Sequence, residues 1–320
     1  MLLLLTEGQQ SGHKGGNIAT GLAGSDTALA MLPGGSTNVF VRTLGLANDP
    51  MVALTQLVSG LEHGEVERVS LGQANGRYFC FHAGIGYDAA VVELVERRSS
   101  LKRLVGQPLF AYSAMHSWFR SYDRQYPHFT LDIDGRHIPN GYFTVVLNTN
   151  PYTFVGKHPI NLSKAASLEK KLVVVTFKKM TTPVMLRTLY SALRRGGLEK
   201  SSSIDIAIDV ENVSINFPAP FPYQLDGDYL GDTTSLEIKH CPEALRLVRH
   251  VEQPLVGTER HERVAQVAVE VERRLERAPR RGQALEHAQR ALEMPDRLRP
   301  RQVGSRDPAC LPQIRERLRP

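Results

Sequence analysis

Apolar residues near the start of the chain fall in short unbroken runs, and from about residue 65 they alternate with polar ones. Leu2 to Leu5 and Ala28 to Leu32 are continuous runs, the pattern of strands buried on both faces. Asn17 to Leu22 predicts a short helix. Asp49-Pro50 is an N-cap with proline at the first helical position, and Leu54, Leu57, Val58 and Leu61 follow at helical spacing, with Gly60 and Gly64 closing the helix. Beyond it Val69 and Leu71 alternate. Ala74-Asn75-Gly76-Arg77 is a type I′ hairpin signal leading into Tyr78 to His82. Phe129, Leu131 and Ile133 alternate up to Asp134-Gly135. Tyr142 to Leu147 and Leu172 to Phe177 are apolar β-type runs. Ile204, Ile206, Ile208 and Val210 alternate, as do Val213, Ile215 and Phe217, then Leu236 and Ile238. Helices interrupt this pattern from Asp88 to about Arg97, from Leu109 to Tyr122, and from Thr182-Pro183 to Gly196-Gly197. The pattern predicts an α/β segment over 1–64, a mainly antiparallel β domain over 65–240, and a different tail from 249 to 320.

The tail changes the reading of the charge. The 320 residues carry a net +6, but Arg249 to Pro320 alone holds 16 arginines, no lysine and 11 acids, which is +5 of that total. The rest is near neutral and has no nucleic-acid footprint. Val264, Val267, Val271 and Leu275 make a narrow helical stripe, Pro279 interrupts it, and beyond Pro295 the composition is that of disorder. The expectation is a basic, helical and disordered appendage, with binding to an anionic membrane as its functional alternative. The apolar run at Leu2 is too short to span a bilayer or to serve as a secretory signal. Cys80, Cys241 and Cys310 form no metal or disulfide pattern, so a reducing cytoplasm is expected.

Three polar clusters sit at turns between apolar segments. Leu32-Pro-Gly-Gly-Ser-Thr-Asn38 places a Gly-Gly turn and three N-cap residue types between a strand and a helix start. Free N–H groups and the helix dipole are then expected to point at one spot and make a place for an anion, the alternative being an ordinary strand–turn–helix. Gly84-x-Gly86-x-Asp88 reads as a strand-to-helix corner. Asp226-Gly227-Asp228 reads either as Asp-Gly turn chemistry or as paired acids that hold Mg²⁺ or accept a hydroxyl proton.

In order and spacing these stretches resemble the diacylglycerol kinase catalytic-domain family of soluble bacterial lipid kinases. The Leu32–Asn38 loop, Arg42 to Gly45, Asp49-Pro50, Gly84–Asp88, Asn148-Thr-Asn-Pro151, Phe154-Val-Gly156 and Asp226–Asp228 carry the likeness, over about residues 17–248. The resemblance implies a Rossmann-like nucleotide domain and a β-sandwich domain, with the chain returning to the first at 241–248. It implies ATP and Mg²⁺ held between the two, a diacylglycerol or related lipid as acceptor, and phosphatidic acid as product. By motif, Gly34, Gly35, Ser36, Thr37 and Asn38 would contact the nucleotide, and Asp228 would be the general base with Asp226 beside it. The protein would be cytoplasmic and peripheral at the inner membrane face, with Arg97 to Arg103 as a basic patch near a helix end. A homodimer is among the expectations.

The chain also departs from the family pattern. The Gly-Gly-Asp-Gly-Thr phosphate loop should fall near residues 8–16, where its acidic position lands on Gly12 and Gly15-Gly16 is at best a remnant. The first strands and helices of the nucleotide domain are missing from the sequence, so a truncated domain with an exposed apolar edge beside Leu2–Leu5 and Ala28–Leu32 is expected. A structural-metal turn reduces to Leu168-Glu169-Lys170-Lys171, with Glu169 the one acid left. The alternative to a kinase is a non-catalytic family remnant that keeps lipid or partner binding. A third reading is that the ends reflect an altered reading frame.

Overall fold

The computed structural model describes residues 2–6, 18–35, 37–97, 113, 116–117, 122–194, 197–198 and 201–250. The expected loop at 8–16, Ser36, most of the Leu109–Tyr122 helix, the basic patch beyond Arg97 and the tail from 251 lie outside the described residues. The elements in order are β1 (Leu2–Thr6), α1 (Ile18–Leu22), β2 (Ala28–Leu32), α2 (Val39–Thr43), α3 (Pro50–Glu62), β3 (Val66–Ala74), β4 (Arg77–Phe79), β5 (His82–Ile85) and α4 (Tyr87–Glu96). They continue as β6 (Phe129–Ile133), β7 (Arg136–Gly141), β8 (Phe143–Leu147), β9 (Thr153–Val155), β10 (His158–Ile160), β11 (Leu172–Phe177), α5 (Thr182–Arg194), β12 (Ile204–Val210), β13 (Asn212–Leu225) and β14 (Asp228–Val248). The chain divides into two compact units, Met1–Val69 with Glu243–Pro320, and Ser70–Pro242.

The first unit is α/β. β1 runs parallel to β2 from Leu2↔Ala28 to Thr6↔Leu32, and the end of β14 runs parallel to the other side of β2 at Arg246↔Ala28 and Leu247↔Leu29. The central strand β2 is buried at every residue, as its unbroken apolar run requires. Leu2 is buried, while Leu3 and Leu4 on the outer strand are only partly exposed. Helix α3 starts as the sequence predicts. Asp49 caps it, its Oδ1 accepting from the N–H groups of Met51 at 2.9 Å and Val52 at 3.0 Å, and Pro50 takes the first helical position. It buries Ala53, Leu54, Leu57 and Gly60.

The second unit is a mostly antiparallel sheet folded over on itself. Its strands run in the order β14, β13, β5, β8, β11, β12, with β6 also paired to β13 and β7 to β6. Strand β13 makes the fold. Its first half pairs with β6 from Val213↔Ile133 to Asn216↔Thr130, and its last three residues pair with β5 from Tyr223↔Ile85 to Leu225↔Ala83. Between them the ladder to β14 slips between Asn216 and Phe221, where Pro218 and Pro220 have no N–H to donate. One face of β8 and β11 (Val146, Leu172, Val174) packs with Leu131, Ile133, Val213, Ile215, Leu236 and Ile238. The other face (Phe143, Val145, Leu147, Val173, Val175, Phe177) packs with Leu162, Met180, Ala192 and Ile206. Continuous apolar runs thus mark the strands covered on both sides, and alternating runs mark those covered on one.

Candidate functional site

The Leu32–Asn38 loop leaves the end of β2 and enters α2. Gly34 and Gly35 are exposed, Thr37 is half-buried and Asn38 is buried. Asn38 occupies the N-cap position of α2 in the left-handed region, at φ 48, and makes no side-chain cap. Its Oδ1 turns back instead and accepts from the N–H groups of Gly34 at 3.0 Å and Gly35 at 2.7 Å, while its Nδ2 donates to Asn48 Oδ1 at 2.7 Å. This corrects one expectation about the loop. The two glycine N–H groups are not free donors waiting for an anion, because Asn38 already takes both. An approaching nucleotide would meet no Cβ at Gly34 or Gly35, but to use their N–H groups it would have to displace the Asn38 side chain.

The other predicted residues lie in the second unit. Leu225 and Asp228 pair across a two-residue hairpin turn in which Asp226 and Gly227 both have positive φ, 51 and 82. That is a type I′ turn, so the Asp-Gly pair does serve turn chemistry. Asp226 does more. Its Oδ2 accepts from the Cys80 N–H at 2.7 Å, and its Oδ1 accepts from the N–H groups of Phe81 at 2.9 Å and His82 at 3.2 Å. It stitches the β13–β14 turn to the chain entering β5. Asp226 keeps some surface exposure, yet desolvation of its carboxyl pushes it up to about 7, outweighing the three N–H bonds that favour the ionised form, and the neighbouring Asp228 charge adds to the rise. Asp228 opens β14 and stays partly exposed.

Behind this turn is a polar network that the sequence pattern did not reveal. Gln224 is fully buried. Its Oε1 accepts from the Gly227 N–H at 2.7 Å and its Nε2 donates to Asp88 Oδ2 at 2.6 Å. The Tyr152 hydroxyl donates to Asp88 Oδ1. His82 Nε2 lies 3.9 Å from Asp88 Oδ2, and its ring stands 4.8 Å from that of Tyr152. Burial lowers the His82 pKa against the pull of Asp88, so the ring is held neutral. Burial first, then the Asp88 charge, raises the Tyr152 hydroxyl well above its ordinary value, which keeps it a donor. Gly84 pairs with Gln224 across β5 and β13, and a Cβ there would collide with Asp88 Oδ2 and Gln224 Nε2. Gly86, at φ 88, is the N-cap of α4 and puts Asp88 in its first turn. The Gly84-x-Gly86-x-Asp88 stretch is therefore architecture that seats one buried carboxylate against the Asp226–Asp228 turn.

Glu169 is exposed in the turn before β11, next to Lys170 and Lys171, and Lys171 Nζ pairs with Glu211 at 2.6 Å. Among the described residues no group of three or more His, Cys, Asp or Glu gathers to hold a metal. One acid beside two cations does not fit a structural cation.

Residues 15–74, which hold the Leu32–Asn38 loop and α3, match the diacylglycerol kinase catalytic domain model. Over those residues the chain is similar to the diacylglycerol kinase catalytic-domain family. Its fold is similar to two solved structures from Bacillus anthracis str. Sterne. One is of a candidate diacylglycerol kinase, with TM-score 0.56, 18% identity, and 78% of each chain covered. The other is of a diacylglycerol kinase, with TM-score 0.51, 17% identity, and 78% of this chain and 76% of that chain covered. At this identity the likeness is one of fold. No curated protein matches the chain in sequence. The expected mixed architecture is present, as one parallel α/β unit and one mainly antiparallel β unit. No described helix is long and apolar enough to cross a membrane.

Proposed function

We propose that this chain is a lipid kinase of the diacylglycerol kinase family, which passes the γ-phosphoryl group of ATP to the free hydroxyl of a diacylglycerol, giving phosphatidic acid. The observation that carries this reading is the Asp226–Asp228 turn, buttressed by three backbone N–H groups and by the Gln224–Asp88 pair, in a chain whose residues 15–74 match the catalytic-domain model. When bound, Mg·ATP supplies the phosphoryl group, and the exposed Gly34-Gly35 backbone offers an approach without Cβ atoms. Asp226 is the anchor, since both its oxygens are engaged. Asp228, partly exposed one residue beyond the turn, is the carboxylate that takes the lipid hydroxyl proton. The Gln224 bond to Gly227 N–H fixes the turn so that Asp228 does not drift. Phosphoryl transfer asks mainly for such positioning and for charge neutralisation. Contact with a membrane surface follows from a lipid acceptor.

A second reading, a family member that no longer turns over, is favoured by one observation: Asn38 occupies the two glycine N–H groups that a phosphate would want. A thermal-shift titration with Mg·ATP separates the two. A ligand bound only to the folded chain stabilises it by about 2.7 kcal/mol at a hundredfold excess over its Kd. A rising midpoint supports the kinase, and an unmoved midpoint at millimolar Mg·ATP supports the remnant. Formation of phosphatidic acid is the direct test.

A further inference from the structure

Helix α5 is amphipathic in the inverse sense. The residues it buries are the small ones Thr188, Ser191 and Ala192. Their hydroxyls are satisfied locally, Thr188 Oγ1 donating to Val184 O at 2.8 Å and Ser191 Oγ to Gly197 O at 2.8 Å. The large apolar side chains face away. Leu186 is 63% exposed, Leu189 47%, Tyr190 59% and Leu193 41%. At helical spacing the four fall within an arc of roughly 100°. Single exposed leucines need no explanation, but four large apolar residues aligned on one face do. Along the helix and the sequence that flanks it the charge has one sign. Between Leu172 and Leu198 the sequence holds Lys178, Lys179, Arg187, Arg194 and Arg195 and no acid. Lys179, Arg187 and Arg194 are exposed, and the two arginines share one flank of the stripe.

We propose that this face of α5 is where the protein docks on a bilayer containing anionic phospholipid. The Leu186–Leu189–Tyr190–Leu193 stripe enters the interface, and the flanking cations meet the headgroups. The inference deepens the lipid-kinase reading and rests on it for the choice of surface. Charge decides the occupant. A second copy would press one acid-free basic stretch against another, whereas anionic headgroups complement it.

The test is flotation of the full chain with vesicles, without ATP or diacylglycerol. One set is phosphatidylcholine with about 30% phosphatidylglycerol, and the other is phosphatidylcholine alone. The variant Leu186→Gln/Leu189→Gln/Leu193→Gln removes the stripe at exposed sites with a good helix former, and an unchanged thermal midpoint verifies that it folds. Expected are binding of the wild type to the anionic vesicles, weaker binding to the neutral ones, and at least about a tenfold loss of apparent affinity in the triple variant. Arg187→Gln/Arg194→Gln should lower only the anionic, salt-sensitive part. A wild type that never floats, or a folded triple variant that floats as well as wild type, overturns the proposal. So does a wild-type dimer that the triple variant dissolves, which would give the face to a second copy. Turnover is read separately, on detergent-dispersed diacylglycerol. A chain that phosphorylates there but never floats loses this inference alone. One that floats but never phosphorylates keeps the docking face and loses the kinase.

Discussion

Replacing Asp226 with Asn keeps the shape of the side chain and removes its ionisable group, at a site where two effects oppose each other. Three backbone N–H bonds favour the carboxylate, and burial disfavours it; burial wins, and the pKa stands at about 7 against an ordinary 3.8. The sign follows directly. Below 3.8 the folded and unfolded chains both hold the proton; above that the unfolded chain releases it first, and the folded chain keeps it until about 7. The contribution of this group to stability is therefore full in acid and lost as pH rises through about 7. Three pH units at about 1.4 kcal/mol each give roughly 4 kcal/mol as an upper bound, of which roughly 2–3 kcal/mol falls between pH 5 and 8. The Asn variant has no such dependence. It sets an amide N–H₂ against one of the three N–H donors, a pH-independent cost of about 1–3 kcal/mol. Urea unfolding of both proteins at pH 5 and pH 8 tests this, since titration of His82 and His240 largely cancels in the comparison. The variant should be clearly less stable at pH 5, and the gap should narrow by roughly 2–3 kcal/mol by pH 8. A gap that stays constant or widens with pH would refute the reasoning, because it would mean that the N–H bonds outweigh burial.

Asp228→Ala should leave the urea midpoint close to wild type but lower phosphoryl transfer by at least about 10²-fold; a variant that keeps full activity removes Asp228 from the role of base. Gly84→Ala should cost about 1–3 kcal/mol in urea unfolding, because its Cβ meets the Asp88–Gln224 pair, and an unchanged stability would show that this pair is not held as described. Asp49→Ala should cost about 1 kcal/mol in the same assay through loss of the α3 cap, and no loss would mean that the Met51 and Val52 N–H groups find another acceptor.

Much of the fold was legible because its signals are local. The Asp49-Pro50 start of α3, the Asn75-Gly76 turn with φ 45 and 84, and the strands Ala28–Leu32, Phe129–Ile133, Leu172–Phe177 and Ile204–Val210 all follow from short-range pattern. The site was legible only in part. Asp88 and the Asp226–Asp228 turn stand out as acids beside glycines. Their connection does not, because it runs through Gln224, 136 residues from Asp88 in sequence and brought to it by the β5–β13 register. The one local hint was a glutamine at a buried strand position beside a turn. Tyr152 and His82 gave less, since an aromatic residue and a lone histidine in apolar surroundings look like core. The Asn38 loop was misread for a physical reason: N-cap residue types also bond backward, and Asn in the left-handed region turned its side chain onto Gly34 and Gly35. The inside-out face of α5 was equally hidden, since helical periodicity reports a stripe and not which side of it the protein covers.

The proposed function stands or falls on phosphoryl transfer to a lipid hydroxyl. Incubation with γ-labelled ATP, Mg²⁺ and detergent-dispersed diacylglycerol, with lipid extraction and chromatography, measures it directly. The wild type should give labelled phosphatidic acid and Asp228→Ala only background; label no higher in the wild type than in that variant would overturn the kinase reading.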